Sequence, residues 1–198
     1  MFHGQLLQDK WVLEHWLRQG NSIGDVGYFV DVGAFDGVTI SNTLQLEQLG
    51  WNGVCIEAST ASAEKCKQHR KCDVVQAIVT GKDGGQELFV RNDVEPMLSH
   101  VTRTHRQGFS SDTRSLMSIL KDVNAPRKID YLSIDVEGID CEVLQGLDTE
   151  QYEVGLITIE HNGQAQASDI ANWFWANNYL VRMLEWDFFA IKDTVSVR

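Results

Sequence analysis

The residues best placed to do chemistry are acids at the ends of apolar runs, and the first of them stands beside two glycines. Tyr28-Phe-Val-Asp-Val-Gly-Ala-Phe-Asp-Gly37 joins a strand-like run, Tyr28 to Val32, to a turn punctuated by Gly33 and Gly37. Glycine lets bare backbone approach a ligand because no Cβ stands in the way. The next apolar run, Gly53 to Glu57, also ends in an acid, the position from which a carboxylate holds a ribose diol. Together they predict an adenosine-containing cofactor.

The glycine spacing selects among such cofactors. A dinucleotide turn, G-x-G-x-x-G, would have glycine where this chain has Phe35, and no Lys-Ser/Thr pair follows as a P-loop requires. A cofactor without phosphates needs no such cradle. S-adenosylmethionine fits, because Asp31 and Asp36 beside the turn suit a cationic ligand better than a pyrophosphate. Further acids end later runs: Asp135 and Glu137 follow Ile129 to Ile134, and Glu160, with His161 and Asn162, ends Val154 to Ile159.

Those tips need a scaffold that gathers them. Apolar periodicity predicts a helix from Leu6 to Arg18, a strand at 28–32 and a helix from Ser41 to Leu49 capped by Ser41 or Asn42. A strand at 53–57, a helix from Ser59 to Arg70 and a strand from Asp73 to Val79 follow. Gly81 to Gly85 is turn chemistry, and Gln86 to Arg91 reads as a short strand. Residues 92–112 show no period and read as a substrate loop or lid, with His100, Arg103, His105 and Arg106 making it cationic. Beyond it come a helix from Thr113 to Val123, a strand from Ile129 to Asp135 and a short helix to Leu147. The chain closes with a strand from Val154 to Glu160, a helix from Ser168 to Asn177, and two strands, Tyr179 to Leu184 and Phe188 to Lys192. Such alternation predicts an α/β fold, a mostly parallel sheet with helices on both faces and an antiparallel edge pair. Ligands of these sheets sit at the carboxyl ends of the strands, where the acids collect.

Length and charge narrow the class. The 198 residues suit one domain, 1–198, and the net charge of −11 argues against a nucleic-acid partner. No apolar run reaches the roughly 20 residues of a membrane span, and no signal peptide is visible, so a cytoplasmic location is expected. Cys55, Cys66, Cys72 and Cys141 lack C-x-x-C spacing and read as reduced, mostly buried thiols.

In order along the chain, Gln8-Asp9, Phe29 to Gly37, Ser41-Asn-Thr43, Leu49 to Glu57, Asp130 to Gly138 and Ile159-Glu-His-Asn162 resemble the FkbM family of S-adenosylmethionine-dependent methyltransferases. Ala58 departs from that pattern, since many relatives have proline after the acid at Glu57. The resemblance implies a class I methyltransferase, Rossmann-like sheet of seven strands, and O-methylation, often of a sugar hydroxyl. It places Asp31, Gly33, Phe35 and Asp36 around the methionine end of the cofactor, with Ser41 and Asn42 near its carboxylate. Glu57 would take the ribose, Ala58, Ala77 and Ile78 would neighbour the adenine, and Asp135 would lie under the sulfonium.

A hydroxyl acceptor is a poor nucleophile until a base takes its proton, and His161 is the first candidate, then Asp135 or Glu137. Alternatively Asp135, Glu160 and Asn162 hold Mg²⁺ through oxygen ligands, and the metal lowers the hydroxyl pKa. The expected acceptor is a hydroxyl of a sugar or glycan; a polyketide-like hydroxyl is the alternative. A nicotinamide-dependent oxidoreductase is disfavoured by Phe35, and a non-catalytic binding subunit by the retained acids.

Overall fold

A computed structural model describes residues 1–90, 100–102, 109–161 and 164–193. The first half contains α1 (Gln8–Arg18), β1 (Tyr28–Val32), α2 (Leu44–Gln48), β2 (Asn52–Glu57), α3 (Thr60–His69), β3 (Asp73–Gln76), β4 (Ile78–Thr80) and β5 (Gln86–Val90). There follow β6 (His100–Thr102), β7 (Phe109–Ser115), α4 (Leu116–Asp122), β8 (Lys128–Ile134) and α5 (Asp140–Gln145). The chain ends through β9 (Glu153–Glu160), α6 (Gln164–Ala176), β10 (Tyr179–Leu184) and β11 (Asp187–Lys192).

Seven strands form one sheet in the order β10-β11-β9-β8-β1-β2-β3. The pairs β9–β8, β8–β1, β1–β2 and β2–β3 are parallel, whereas β11 runs antiparallel to both of its neighbours. This is the expected Rossmann-like sheet of the class I methyltransferases, with its antiparallel character confined to the β10 edge. The reversed strand is β11, inserted between β9 and β10.

Side chains alternate across β1, so each face of the sheet receives its own core. Val30 and Val32 pack with Ile119, Leu132, Val143 and Phe174 on one face. Phe29 packs with Val12, Trp16, Cys66 and Tyr131 on the other. Burying a side chain such as Phe29 stabilises the fold by about 1.5–3 kcal/mol. Asp31 shares the Phe29 face by this alternation, an acid placed where the period calls for an apolar residue.

Several elements differ from the sequence expectation, among them α2, which spans only Leu44–Gln48, and α6, which begins at Gln164 rather than Ser168. The strand expected from Asp73 to Val79 breaks at Ala77, because β3 pairs with β2 while β4 leaves to pair with β7. The helix expected from Thr113 begins only at Leu116. Thr113 to Ser115 extend β7 alongside β4, and the Ser115 hydroxyl caps the helix by accepting from Ser118 N at 3.1 Å. The region read as a structureless loop holds β6 and much of β7, and these join β4 and β5 in a second sheet, β4-β7-β5-β6. The rest of 92–112, and Asn162, lie outside the described residues.

All four cysteines are free thiols, three of them buried. Among the described residues no helix is long and apolar enough to cross a membrane.

Candidate active site

A cleft of about 560 Å³ opens at the carboxyl ends of β1, β8 and β9. Its floor is made by Asp31, Gly33, Ala34 and Phe35, one wall by Thr39, Ile40, Ser41 and Asn42, and the other by Asp135, Glu137, Glu160 and Asp187. Gln5 and Gln8 close it from the N-terminal segment.

The turn after β1 explains its glycine. Gly33 has φ +91°, and a Cβ built there would overlap the carbonyl oxygen of Asp135. β1 and β8 are neighbours, so this close approach sets the width of the cleft floor. Gly33 N and Ala34 N both donate to Ile56 O, at 2.8 and 3.1 Å. Phe35 follows at φ +50°, a left-handed conformation costly for an aromatic residue, and is held there by its N–H donating to Glu57 Oε2 at 2.9 Å. Glu57 Oε1 accepts from Ser59 N at 2.7 Å. Burial raises the Glu57 pKa, the amides of Ser59, Phe35 and Ala58 work against that, and the charge of Asp31 adds to it. The carboxylate thus braces the turn from behind and does not itself line the cleft.

Asp31 is only 4 % exposed. Burial pushes its pKa up, while the Thr43 hydroxyl, donating to Asp31 Oδ2 at 2.6 Å, and the Arg70 charge pull it back. Asn42 donates from Nδ2 to Ser133 Oγ at 3.0 Å, and its Oδ1 is buried with no hydrogen-bond partner among the described residues. That orphaned acceptor, on a residue of the cleft wall, calls for a donor.

Ligand atoms of Asp135, Glu137 and Glu160 lie within 4.8 Å of one another. Asp135 is exposed and lines the cleft. Loss of hydration, then the charges of Glu160, Asp140, Glu137 and Asp187, drive its pKa well above the usual carboxylate range. For Glu137 the same two causes, partial burial and the neighbouring acids Glu160 and Asp140, raise the pKa to about 7. Glu137 also holds φ +56°, next to Gly138 at +116°. The strained turn is clamped from behind. Asp140, fully buried, accepts from Val136 N at 2.8 Å and Gly138 N at 2.9 Å, and Gln166 donates to Gly138 O at 2.8 Å.

Of the residues expected from the sequence, the cleft gathers Asp31, Gly33, Phe35, Ser41, Asn42, Asp135, Glu137 and Glu160. Asp36 turns away from it. Its carboxylate accepts from Val38 N, Thr39 N and the Thr39 hydroxyl at 2.8–2.9 Å. These bonds outweigh its desolvation and lower its pKa. The helix after Ser41 is only five residues long, and the Ser41 hydroxyl already accepts from Leu44 N at 3.1 Å. Ala77 and Ile78 are buried, and Ala58 is half-buried; none of the three lines the cleft.

His161, expected as the first candidate base, is 5 % exposed and does not line the cleft. Its Nε2 lies 3.2 Å from Glu185 O, its ring packs on Phe188, and its charge lowers the Asp187 pKa against the dominant effect of burial. The geometry gives it a place in supporting the β10–β11 hairpin. Trp175 and Trp186 are exposed, whereas Trp173 packs against the core.

Several cleft residues were not foreseen. Asp187 arrives because antiparallel β11 begins where parallel β9 ends, and it pairs in register with Glu160. Gln8 is buried and donates to Asp187 Oδ2 at 2.8 Å. The only sequence signal for either was Gln8-Asp9 at the start of α1.

The comparisons with known proteins bear on this arrangement. The Methyltransferase FkbM domain matches residues 31–181, which takes in the glycine turn and every acid of the cleft except Asp187. The chain belongs to the FkbM family. It is an S-adenosylmethionine-dependent methyltransferase. The fold of this FkbM methyltransferase is similar to that of the N-terminal domain of human METTL16. The superposition has TM-score 0.53 for the complex with SAH and 0.52 for a second structure of that domain. Each is 12 % identical and covers 94 % of this chain and 68 % of the other, so the likeness is one of fold. No curated protein sequence matches the FkbM chain at a significant level.

Proposed function

We propose that this FkbM methyltransferase methylates a hydroxyl of a sugar or glycan at the acidic mouth of the cleft, with Glu137 or Asp135 as the proton acceptor. The observation that carries the reading is Glu137 itself. It is a cleft carboxylate with a pKa of about 7, held at a strained φ by Asp140 and Gln166. A general base works best when its pKa lies near the operating pH. The acceptor class is supported by the lining. Gln5, Gln8 and Asn42 offer amides, the acids offer oxygens, and neither Lys nor Arg is among the described lining residues to pair with an anionic acceptor.

The cleft fits S-adenosylmethionine on observations of its own. The volume lies within the range of small-molecule sites, Gly33 keeps the floor free of a Cβ, and Asp31 with the orphaned Asn42 Oδ1 suits an ammonium donor. When bound, this cofactor supplies an electrophilic methyl group on a sulfonium. Asp31 and Asn42 would hold its amino group and Ser41 its carboxylate, while Glu57, just behind the cleft floor, would take the ribose. Asp135 would favour the sulfonium charge and orient the acceptor. Holding acceptor oxygen and methyl group in line contributes about 7–11 kcal/mol at best to such a reaction.

A second reading uses the same acids. Asp135, Glu137 and Glu160 form an all-oxygen donor set that suits a hard cation such as Mg²⁺, which would supply a lowered hydroxyl pKa.

The test is incubation with S-adenosylmethionine and a panel of neutral sugars, oligosaccharides and polyketide alcohols. One added methyl by mass spectrometry, with matching release of S-adenosylhomocysteine, on sugars alone is expected. Methylation of the polyketide alcohols alone would overturn the acceptor class.

A further inference from the structure

We propose that Arg70 is the positioning residue of the cofactor loop, setting Asp31 as an acceptor and Ser41 as a donor so that the cleft complements an amino-acid zwitterion. The inference rests on the cofactor reading above and deepens it. Arg70 stands just past α3, and its guanidinium runs beneath the segment that joins β1 to α2. Nη1 donates to Gly37 O at 3.2 Å and to Ser41 Oγ at 3.3 Å, and Nη2 donates to Thr43 Oγ1 at 3.0 Å. Nε donates to Glu47 Oε2 at 3.0 Å, in an ion pair whose arginine side chain is fully buried. Glu47 is fixed in turn, its Oε1 accepting from Lys71 N at 2.9 Å and Cys72 N at 2.7 Å. The guanidinium also lies 5.3 Å from the centre of the Phe29 ring.

Hydrogen-bond polarity follows from the chemistry of the partners. Arginine only donates, so Thr43 Oγ1 must accept from it, and the single Thr43 proton is left for Asp31 Oδ2, 2.6 Å away. Asp31 is thereby held in orientation, with Oδ1 left for an ammonium. Ser41 Oγ likewise accepts from Arg70 and from Leu44 N, which leaves its own proton to donate to a carboxylate. An acceptor and a donor side by side on the cleft are the complement of an α-ammonium and an α-carboxylate. The groups that bear on the Asp31 charge are Thr43 and Arg70 on one side and Glu57, Cys55, Cys66 and Tyr131 on the others. Arg70 is the cation among them.

The test compares two ligands by isothermal titration: S-adenosylhomocysteine, which carries the amino-acid end, and 5′-methylthioadenosine, which lacks it. Arg70→Met removes the donors, and Thr43→Val removes only the relay hydroxyl, a milder change should the first variant fold poorly. Each is expected to weaken S-adenosylhomocysteine about tenfold or more, the loss of charge-assisted hydrogen bonds, while 5′-methylthioadenosine is bound as by wild type. Arg70→Lys should fall between, because one ammonium cannot serve Gly37, Ser41 and Thr43 together. A purely structural role would lower the melting temperature and leave the ratio of the two affinities unchanged, and that result would overturn the proposal. Wild-type protein that binds neither ligand would overturn the cofactor reading itself, so the two failures are separable.

Discussion

Replacing Glu137 by glutamine tests the charge balance of the cleft and its chemistry at once. The substitution keeps shape and backbone strain but removes one negative charge from a group of acids within 4.8 Å. Partial burial, Glu160 and Asp140 raise the Glu137 pKa from its ordinary 4.5 to about 7, which corresponds to about 3 kcal/mol if fully felt. Glu137 is half-buried at an open cleft, and solvent screening reduces that to about 1–2 kcal/mol. The sign follows from proton binding. Between pH 4.5 and 7 the folded chain keeps a proton that the unfolded chain releases, so this stabilisation is complete below 4.5 and is lost as the pH rises through 7. In a chelator-containing buffer at pH 8, E137Q should therefore melt above wild type, by roughly 3–6 °C for a chain of this size. At pH 5 the two should nearly coincide. Turnover should fall by about 10²–10⁴ for loss of a general base. Calorimetry at the two pH values and a methyl-transfer assay read both effects. A variant that melts below wild type at pH 8, or one that keeps wild-type turnover, would refute the reasoning.

Wild-type turnover should rise with pH through about 7 as Glu137 loses its proton, and a flat profile from pH 6 to 8 would remove Glu137 from the role. Asp31→Ala should abolish S-adenosylhomocysteine binding in titration while the protein still folds, since it deletes the buried acceptor of the cleft; unchanged affinity would contradict that assignment. His161→Ala should lower the melting temperature by a few degrees, from lost packing on Phe188, and leave cofactor affinity unchanged. A change in the pH profile of turnover for that variant would instead return His161 to the chemistry. Chelation should silence methyl transfer, and Mg²⁺ should restore it, if the three clustered acids hold a cation; indifference to chelator would exclude that reading.

The apolar strands, the glycine turn and the acids at strand ends were legible in the residues because each is a local property. Near-continuous apolar runs mark β1, β8 and β9, parallel strands buried on both faces. A residue at φ +91° that abuts a neighbouring carbonyl can only be glycine, so Gly33 shows in the sequence as Gly. Asp31, Asp135 and Glu160 follow, since parallel strands deliver their last residues to one edge. The same reasoning put His161 there too, one position beyond Glu160. The alternation that turns Glu160 toward the cleft turns the next side chain away, here onto Phe188.

What only the tertiary structure decided are the contacts made between distant segments. Asp187 reaches the acids because β11 is reversed and starts where β9 stops, a register that no local pattern encodes. Gln8 meets Asp187 across 179 positions. Arg70 looks like a polar residue ending a helix, and only the packing of α3 beneath the β1–α2 loop buries it among Gly37, Ser41, Thr43 and Glu47. The pKa of Glu137 has the same origin: a glutamate after a strand is ordinary until folding brings Glu160 and Asp140 beside it. Local sequence sets which backbone conformations and faces are available, and the long-range burial of charge sets what the side chains on those faces do.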